Sequence, residues 1–236
     1  MSDALTIAVV AKQPRPGAVK TRLCPPCTPE QAADLARAML ADTLSVVAAA
    51  PAARRLLALD GEPGDWVPAG FEVVGQVGGT LDVRLAHVLE FVAGPIVLIG
   101  MDTPQLTPDL LSCDFDAYPA WLGPAQDGGY WAIGLAEPDP RFVLGVPMSQ
   151  PHTCAAQRQA LAAAGFDVAT LPVLRDVDSW EDAVAVSRDA PRTRFAGAVD
   201  RVRTQAASDG RSRAWSPPGG QATTGDPDGA AGRTPR

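Results

Sequence analysis

Leu5-Thr6-Ile7-Ala8-Val9-Val10-Ala11 runs directly into Lys12-Gln13-Pro14-Arg15-Pro16-Gly17-Ala18-Val19-Lys20-Thr21-Arg22-Leu23. The first stretch is an unbroken apolar, β-branched run, the composition of a strand covered on both faces. The second holds two prolines, one glycine and four cations (Lys12, Arg15, Lys20, Arg22), which make an irregular basic loop. A doubly buried strand that empties into such a loop predicts an open α/β sheet, whose ligands sit beyond the carboxyl ends of its strands. The GxxxxGK[ST] spacing is absent, which disfavours an ATPase of the P-loop class. The four cations suit a diphosphate, which Arg can clamp bidentately and Lys can meet as a point charge. Lys12 and Lys20 are the only lysines among 20 basic residues, so both fall in this one loop. Lys20 is expected to be an exposed loop side chain.

The elements on either side agree with that sheet. Thr28-Pro29-Glu30-Gln31 reads as an N-cap, a proline at the first helical position and a capping box. Leu35, Met39, Leu40, Leu44 and Val47 follow at helical spacing. Leu56–Leu59 and Phe71–Val74 are short strands. Leu81, Leu85, Val88, Leu89 and Val92 mark a second amphipathic helix, and Pro95–Ile99 is another buried strand. Strand–helix–strand–strand–helix–strand predicts an α/β fold with parallel members. Beyond it, Ala120–Gly123 and Tyr130–Leu135 are strands about a turn at Asp127-Gly128-Gly129. Thr153–Ala164 is a helix stopped by Gly165, Val168–Leu171 a strand and Trp180–Arg188 a short acidic helix, with another helix across 193–204. After Val202 there is no Ile, Leu, Val, Phe or Met, and Gly and Pro are frequent. Such a tail cannot offset its ordering entropy. The predicted organisation is therefore one domain over 1–204 and a disordered tail over 205–236.

Charge narrows the partners. Residues 1–190 hold 12 Lys and Arg against 23 Asp and Glu, and the whole chain of 236 residues has a formal net charge of −7. An acidic body argues against nucleic acid. The apolar runs are shorter than the ~18–20 residues of a membrane span, and the N-terminus has no basic n-region, so a cytoplasmic protein with reduced thiols is expected. Cys24-Pro25-Pro26-Cys27 has redox or zinc spacing, but no second CxxC or HxxxH supplies further ligands, which favours a connecting turn.

Three acidic segments carry candidate chemistry. Gly100-Met101-Asp102-Thr103-Pro104 puts an acid just past a buried strand, where it can hold a hard divalent cation or cap the next helix. Gly123-Pro124-Ala125-Gln126-Asp127-Gly128-Gly129-Tyr130 joins an ordinary turn to an aromatic platform. Asp176-Val177-Asp178-Ser179-Trp180-Glu181-Asp182 offers a second carboxylate, Asp178 ahead of Asp176 and Asp127, although Asp178 could instead cap the helix at Trp180.

In order and spacing, residues 12–23, 100–106, 123–134 and 176–182 resemble the bacterial DUF2064 glycosyltransferase-like family, associated with radical-SAM and selenium or arsenosugar gene contexts. That family runs KxPxPGxVKTRL, GxDxPxL, GPAxDGGYxxxG and DVDxxED. This chain departs at Leu81-Asp82-Val83-Arg84, where the family tends to have a glycine and an acid before the matching arginine. The resemblance implies a GT-A, nucleotide-diphospho-sugar transferase-like fold: a Rossmann-type three-layer sandwich with a mixed, mostly parallel sheet. It implies nucleotide or phosphate binding by Lys12, Gly17, Lys20, Thr21, Arg22 and Arg84. A divalent metal, Mg²⁺ or Mn²⁺, is implied on Asp102, with Asp178 on its second side. Substrate binding is implied at Asp127, Gly128, Gly129 and Tyr130, and catalysis at Asp102 and Asp127. The implied activity transfers a sugar from a nucleotide-sugar to a small acceptor; the alternative is a guanylyltransferase-like enzyme that uses an NTP and releases pyrophosphate.

Overall fold

The computed structural model describes residues 5–208 and Gly210. The chain runs through β1 (Thr6–Lys12), α1 (Pro29–Ala49), β2 (Arg54–Asp60), β3 (Glu72–Gly75), α2 (Leu81–Leu89) and β4 (Ile96–Gly100). It continues through β5 (Ala120–Pro124), β6 (Tyr130–Leu135), α3 (Thr153–Ala163), β7 (Val168–Thr170), α4 (Trp180–Asp189) and α5 (Arg194–Ser208). α5 therefore passes the expected boundary at 204, because Val199 and Val202 still face the core and Gln31 donates to the Gln205 side chain at 2.7 Å. The rest of the expected tail, apart from Gly210, lies outside the described residues.

One seven-stranded sheet has the order β3-β2-β1-β4-β6-β5-β7. All of its pairings are parallel except those of β6 with β4 and β5. Alternation along the central strands sends side chains to two cores. Ile7, Val9, Leu57, Leu59, Val97 and Ile99 meet Leu35 and Met39 of α1, Val186 of α4 and Phe195 of α5. Ala8, Leu56, Leu98 and Ile133 meet Leu85, Val88 and Leu89 of α2 and Leu161 of α3. This is the expected three-layer sandwich with a mixed, mostly parallel sheet.

The caps follow local chemistry. Thr28 and Gln31 form both bonds of a capping box on α1, with Pro29 behind the cap. At α4 the cap is Ser179, paired reciprocally with Asp182, so Asp178 is not the helix cap. The first amides of α5 are satisfied from another helix: Asp42 of α1 accepts from the Arg194 and Phe195 backbones at 3.1 and 2.9 Å.

Candidate functional site at the carboxyl edge of the sheet

Strand order decides where the chemistry collects. From β1 the chain steps outward to β2 and β3, then returns to lay β4 on the other side of β1. β1 and β4 are in parallel register, Val10 opposite Gly100, so the basic loop and the Met101-Asp102 turn leave the sheet side by side. Such a reversal opens a crevice outside the strand ends. β6 is antiparallel to β4, which returns the Asp127–Gly129 turn to the same edge. β5 and β7 also end there, and the chain after β7 continues past them through the bonds Leu174 N to Pro124 O and Gln126 N to Leu174 O. Val177 N donates to Asp102 O at 2.9 Å, which seats Asp176 and Asp178 beside Asp102. Gln105 donates to Arg175 O at 2.7 Å and fastens the same segment.

The result is a cleft of about 440 Å³. Lys12, Lys20, Thr21, Arg22 and Arg84 line it together with Asp102, Asp127, Gly129, Tyr130, Asp176 and Asp178. Gly17 and Gly128 do not line it. Gly17 (φ +74°) shapes the loop from outside. Gly128 (φ +90°) faces the loop before α3: a Cβ there would stand 1.9 Å from Pro151 O, and its own carbonyl accepts from Cys154 N. Gly128 therefore packs tightly against the loop before α3.

Lys20 lies at the centre. Its ammonium is 2.8 Å from Asp102 Oδ1 and 3.0 Å from Asp178 Oδ1. The side chain is 11% exposed, which corrects the expectation of an exposed loop lysine. Burial works against its charge, but Asp102 and Asp178 outweigh that and hold the pKa above its ordinary value. Its backbone is left-handed (φ 48°, ψ 37°), a conformation disfavoured for a residue with a Cβ. Arg22 reaches Asp178 Oδ2 at 3.4 Å from a side chain that is 80% exposed. Lys12 is exposed and stands 3.9 Å from Asp60. Arg84 approaches Gln76 at 3.4 Å, and its buried Nε has no partner.

The acids differ sharply. Asp127 accepts from Gly129 N at 2.8 Å, as an ordinary Asx turn does, and remains exposed at the cleft. Asp176 has a buried oxygen without a partner. Burial, then the charges of Asp102 and Asp127, push its pKa up to about 7, with Lys20 pulling the other way. Tyr130 bonds to Gln157 at 3.2 Å, and burial raises its phenol, which keeps the proton.

A sequence model of the DUF2064 family, described as uncharacterized proteins conserved in bacteria, matches residues 30–150. The chain belongs to this family. No curated protein matches it significantly. Among solved structures it is similar to a provisionally assigned nucleotide-diphospho-sugar transferase from Desulfovibrio desulfuricans G20, at 25% identity and TM-score 0.75 over 90% of this chain and 98% of that one. The fold is also similar to Rv0371c of Mycobacterium tuberculosis H37Rv, at 24% identity and TM-score 0.51 over 80% and 100% of the two chains. It is likewise similar to a CMP:2-keto-3-deoxy-manno-octonic acid synthetase complexed with CTP, at 16% identity and TM-score 0.51 over 80% and 98%.

In this DUF2064 protein the departing residues 81–84 open α2. Asp82 accepts from Gly145 N at 2.9 Å and ties α2 to the loop before α3, while Arg84 still faces the cleft. The Cys24–Cys27 segment is a turn with both thiols free; burial raises Cys24 and pushes Cys27 up to about 12, which disfavours the thiolate at both. Gln76 was not anticipated. It follows β3 at the carboxyl edge and donates to Ala11 O and Ala58 O at 2.8 Å, bracing β1 against β2 under the cleft. The rule that ligands gather at strand ends would have pointed to it. Ser149 (φ 57°) also lines the cleft, and nothing in the sequence signals it.

Among the described residues no three His, Cys, Asp or Glu side chains converge as a ready-made metal site. The donor chemistry nonetheless fits a hard cation. Asp102 and Asp178 point oxygens at one position, now held by the Lys20 ammonium, and the unpartnered Asp176 oxygen lies in the adjoining segment.

Proposed function

We propose that this protein is a metal-dependent glycosyltransferase whose donor is a nucleotide-diphosphate sugar and whose acceptor is a small molecule. The observation that supports this best is the pairing of a basic loop and a carboxylate cluster in one cleft at the topological switch point. Lys12, Lys20, Thr21 and Arg22 meet the diphosphate, and Arg84 contacts the nucleotide beside Gln76. Gly17 lets the loop curl, and Gly128 holds the neighbouring turn. Asp102 and Asp178 hold Mg²⁺ or Mn²⁺, which when bound supplies countercharge to the departing nucleoside diphosphate. Tyr130 and Gly129 border the acceptor. Asp127 positions its hydroxyl and takes the proton as the new sugar–oxygen bond forms and the sugar–phosphate bond breaks. The setting is the cytoplasm, which suits the four free thiols.

A second reading uses the same groups on an NTP and releases pyrophosphate. The likeness of fold to the CTP-complexed synthetase favours it. Free nucleoside diphosphate from a nucleotide-sugar supports the first reading, and pyrophosphate from an NTP the second. Asp102→Asn keeps the side-chain shape and removes the charge. Normal folding, loss of Mn²⁺-dependent nucleotide binding and at least ~100-fold lower turnover are expected. An unstable but active variant would make Asp102 a structural residue.

A further inference from the structure

Lys20 raises a question that phosphate binding alone does not answer. The lysine lines the cleft, but its ammonium is paired with the two carboxylates suited to a divalent ion. Left-handed backbone at a residue with a Cβ persists only where the surroundings hold it. At Lys20 the side chain is paired with both Asp102 and Asp178. Arg22 shares Asp178 but is largely in water, so its charge is screened, and Lys20 is the buried cation of the cluster.

We propose that Lys20 is an internal counter-ion which a divalent metal must displace, and that the displaced ammonium then pairs with the nucleotide phosphate, so that metal and nucleotide bind as a coupled pair. This rests on the metal reading given under Proposed function. The physical reason is competition. The Asp102 and Asp178 oxygens already serve the ammonium, and a hard cation would take them at ~2.0–2.6 Å. A monovalent and a divalent cation a few ångströms apart in a poorly screened place repel strongly. The metal alone must therefore expel a satisfied lysine, and a phosphate alone must draw that lysine off two acids. Each ligand does the work that the other needs. Binding linkage is reciprocal, so the factor by which metal tightens nucleotide equals the factor by which nucleotide tightens metal.

The test uses Mn²⁺ followed by electron paramagnetic resonance and, because the base is unidentified, pyrophosphate as the phosphate probe. Lys20→Met removes the charge, and Lys20→Asn does so with a residue that accepts left-handed backbone. Unchanged circular dichroism establishes folding for whichever variant is used. Without pyrophosphate, both variants should bind Mn²⁺ at least ~10-fold more tightly than wild type, whereas Lys20→Arg should stay weak. Without metal, Lys20→Met should bind pyrophosphate ~10-fold more weakly. The mutual tightening of the two ligands in wild type should shrink in the same variant. If Mn²⁺ affinity is unchanged or lower in Lys20→Met and Lys20→Asn, while Asp102→Asn still abolishes it, the exchange is wrong and the metal site stands. If Mn²⁺ binds Asp102→Asn as well as wild type, or binds no variant with or without pyrophosphate, the metal reading itself fails and the exchange with it.

Discussion

Asp42 and Asp176 are the same residue in opposite circumstances. Asp42, on α1, is 7% exposed and fully occupied: Oδ1 accepts from Arg194 N and the Arg194 guanidinium, and Oδ2 from Phe195 N. Asp176 lines the cleft with one oxygen unpartnered, and the charges of three other aspartates add to the effect of its burial. Buried polar groups are normally satisfied, and the exceptions gather where a protein does chemistry. At Asp42 the acid joins two helices and serves the fold. At Asp176 burial and the neighbouring acids disfavour the negative charge, next to Asp102 and Lys20. The molecule puts its satisfied acid far from the strand ends and its unsatisfied one among them.

The contrast should first be broken at Asp42. Asp42→Ala strips the α5 amides of their acceptor and leaves buried donors unpaired, a loss of ~2–4 kcal/mol. A fall in Tm of roughly 5–10 °C is expected by calorimetry. Pyrophosphate affinity below the transition should not change, because Asp42 does not line the cleft. A parallel loss of affinity would mean that α5 helps shape the site.

Asp176→Asn should act in the other direction. Its folded pKa, about 7, lies above the ~3.9 of an unfolded aspartate. Between those values the native state binds the extra proton, so wild-type stability falls as pH rises from about 4 to about 7. The contribution is complete below pH ~4 and gone above ~7. The asparagine variant lacks that titration, so it should be more stable than wild type at pH 8, by ~1–2 kcal/mol, and not at pH 4. Melting curves at the two pH values check this. Equal differences at both would show that Asp176 is not charged against its surroundings.

The sequence carried the frame well and the electrostatics poorly. LTIAVVA and PIVLI are so uniformly apolar that buried parallel strands were the simplest reading, and their adjacency then brought Lys12 and Asp102 to one edge. Thr28 and Gln31 announced their capping box because that signal is local. Lys20 reads as an exposed loop residue for the opposite reason. Its burial depends on Asp178, which is 158 positions away and is brought in by a bond from Val177 to Asp102 O. Asp178 was open between capping and ligation until Ser179 proved to be the cap. Gly128 belonged to a recognisable motif, but its neighbour Pro151 comes from a loop with no sequence signal.

The smallest expected effect is at Arg22, and it separates the two cations that share Asp178. Arg22 contacts that acid at 3.4 Å with a side chain 80% exposed, whereas Lys20 does so at 3.0 Å with a side chain 11% exposed. An exposed ion pair contributes ~0–1 kcal/mol, so Arg22→Ala should move Tm by no more than ~1–2 °C. Its charge still lines the cleft, where the proposed diphosphate would sit. Pyrophosphate affinity should fall about 3-fold at low ionic strength, and the difference should vanish near 1 M salt, where the Debye length is ~3 Å. The deficit from Lys20→Met should survive the same salt, because a buried pair is screened far less. Titrations of both variants at low and high salt test this directly. If the Arg22 deficit persists in high salt, the guanidinium closes onto the phosphate out of water, and the rim of this cleft is a clamp rather than a screened attraction.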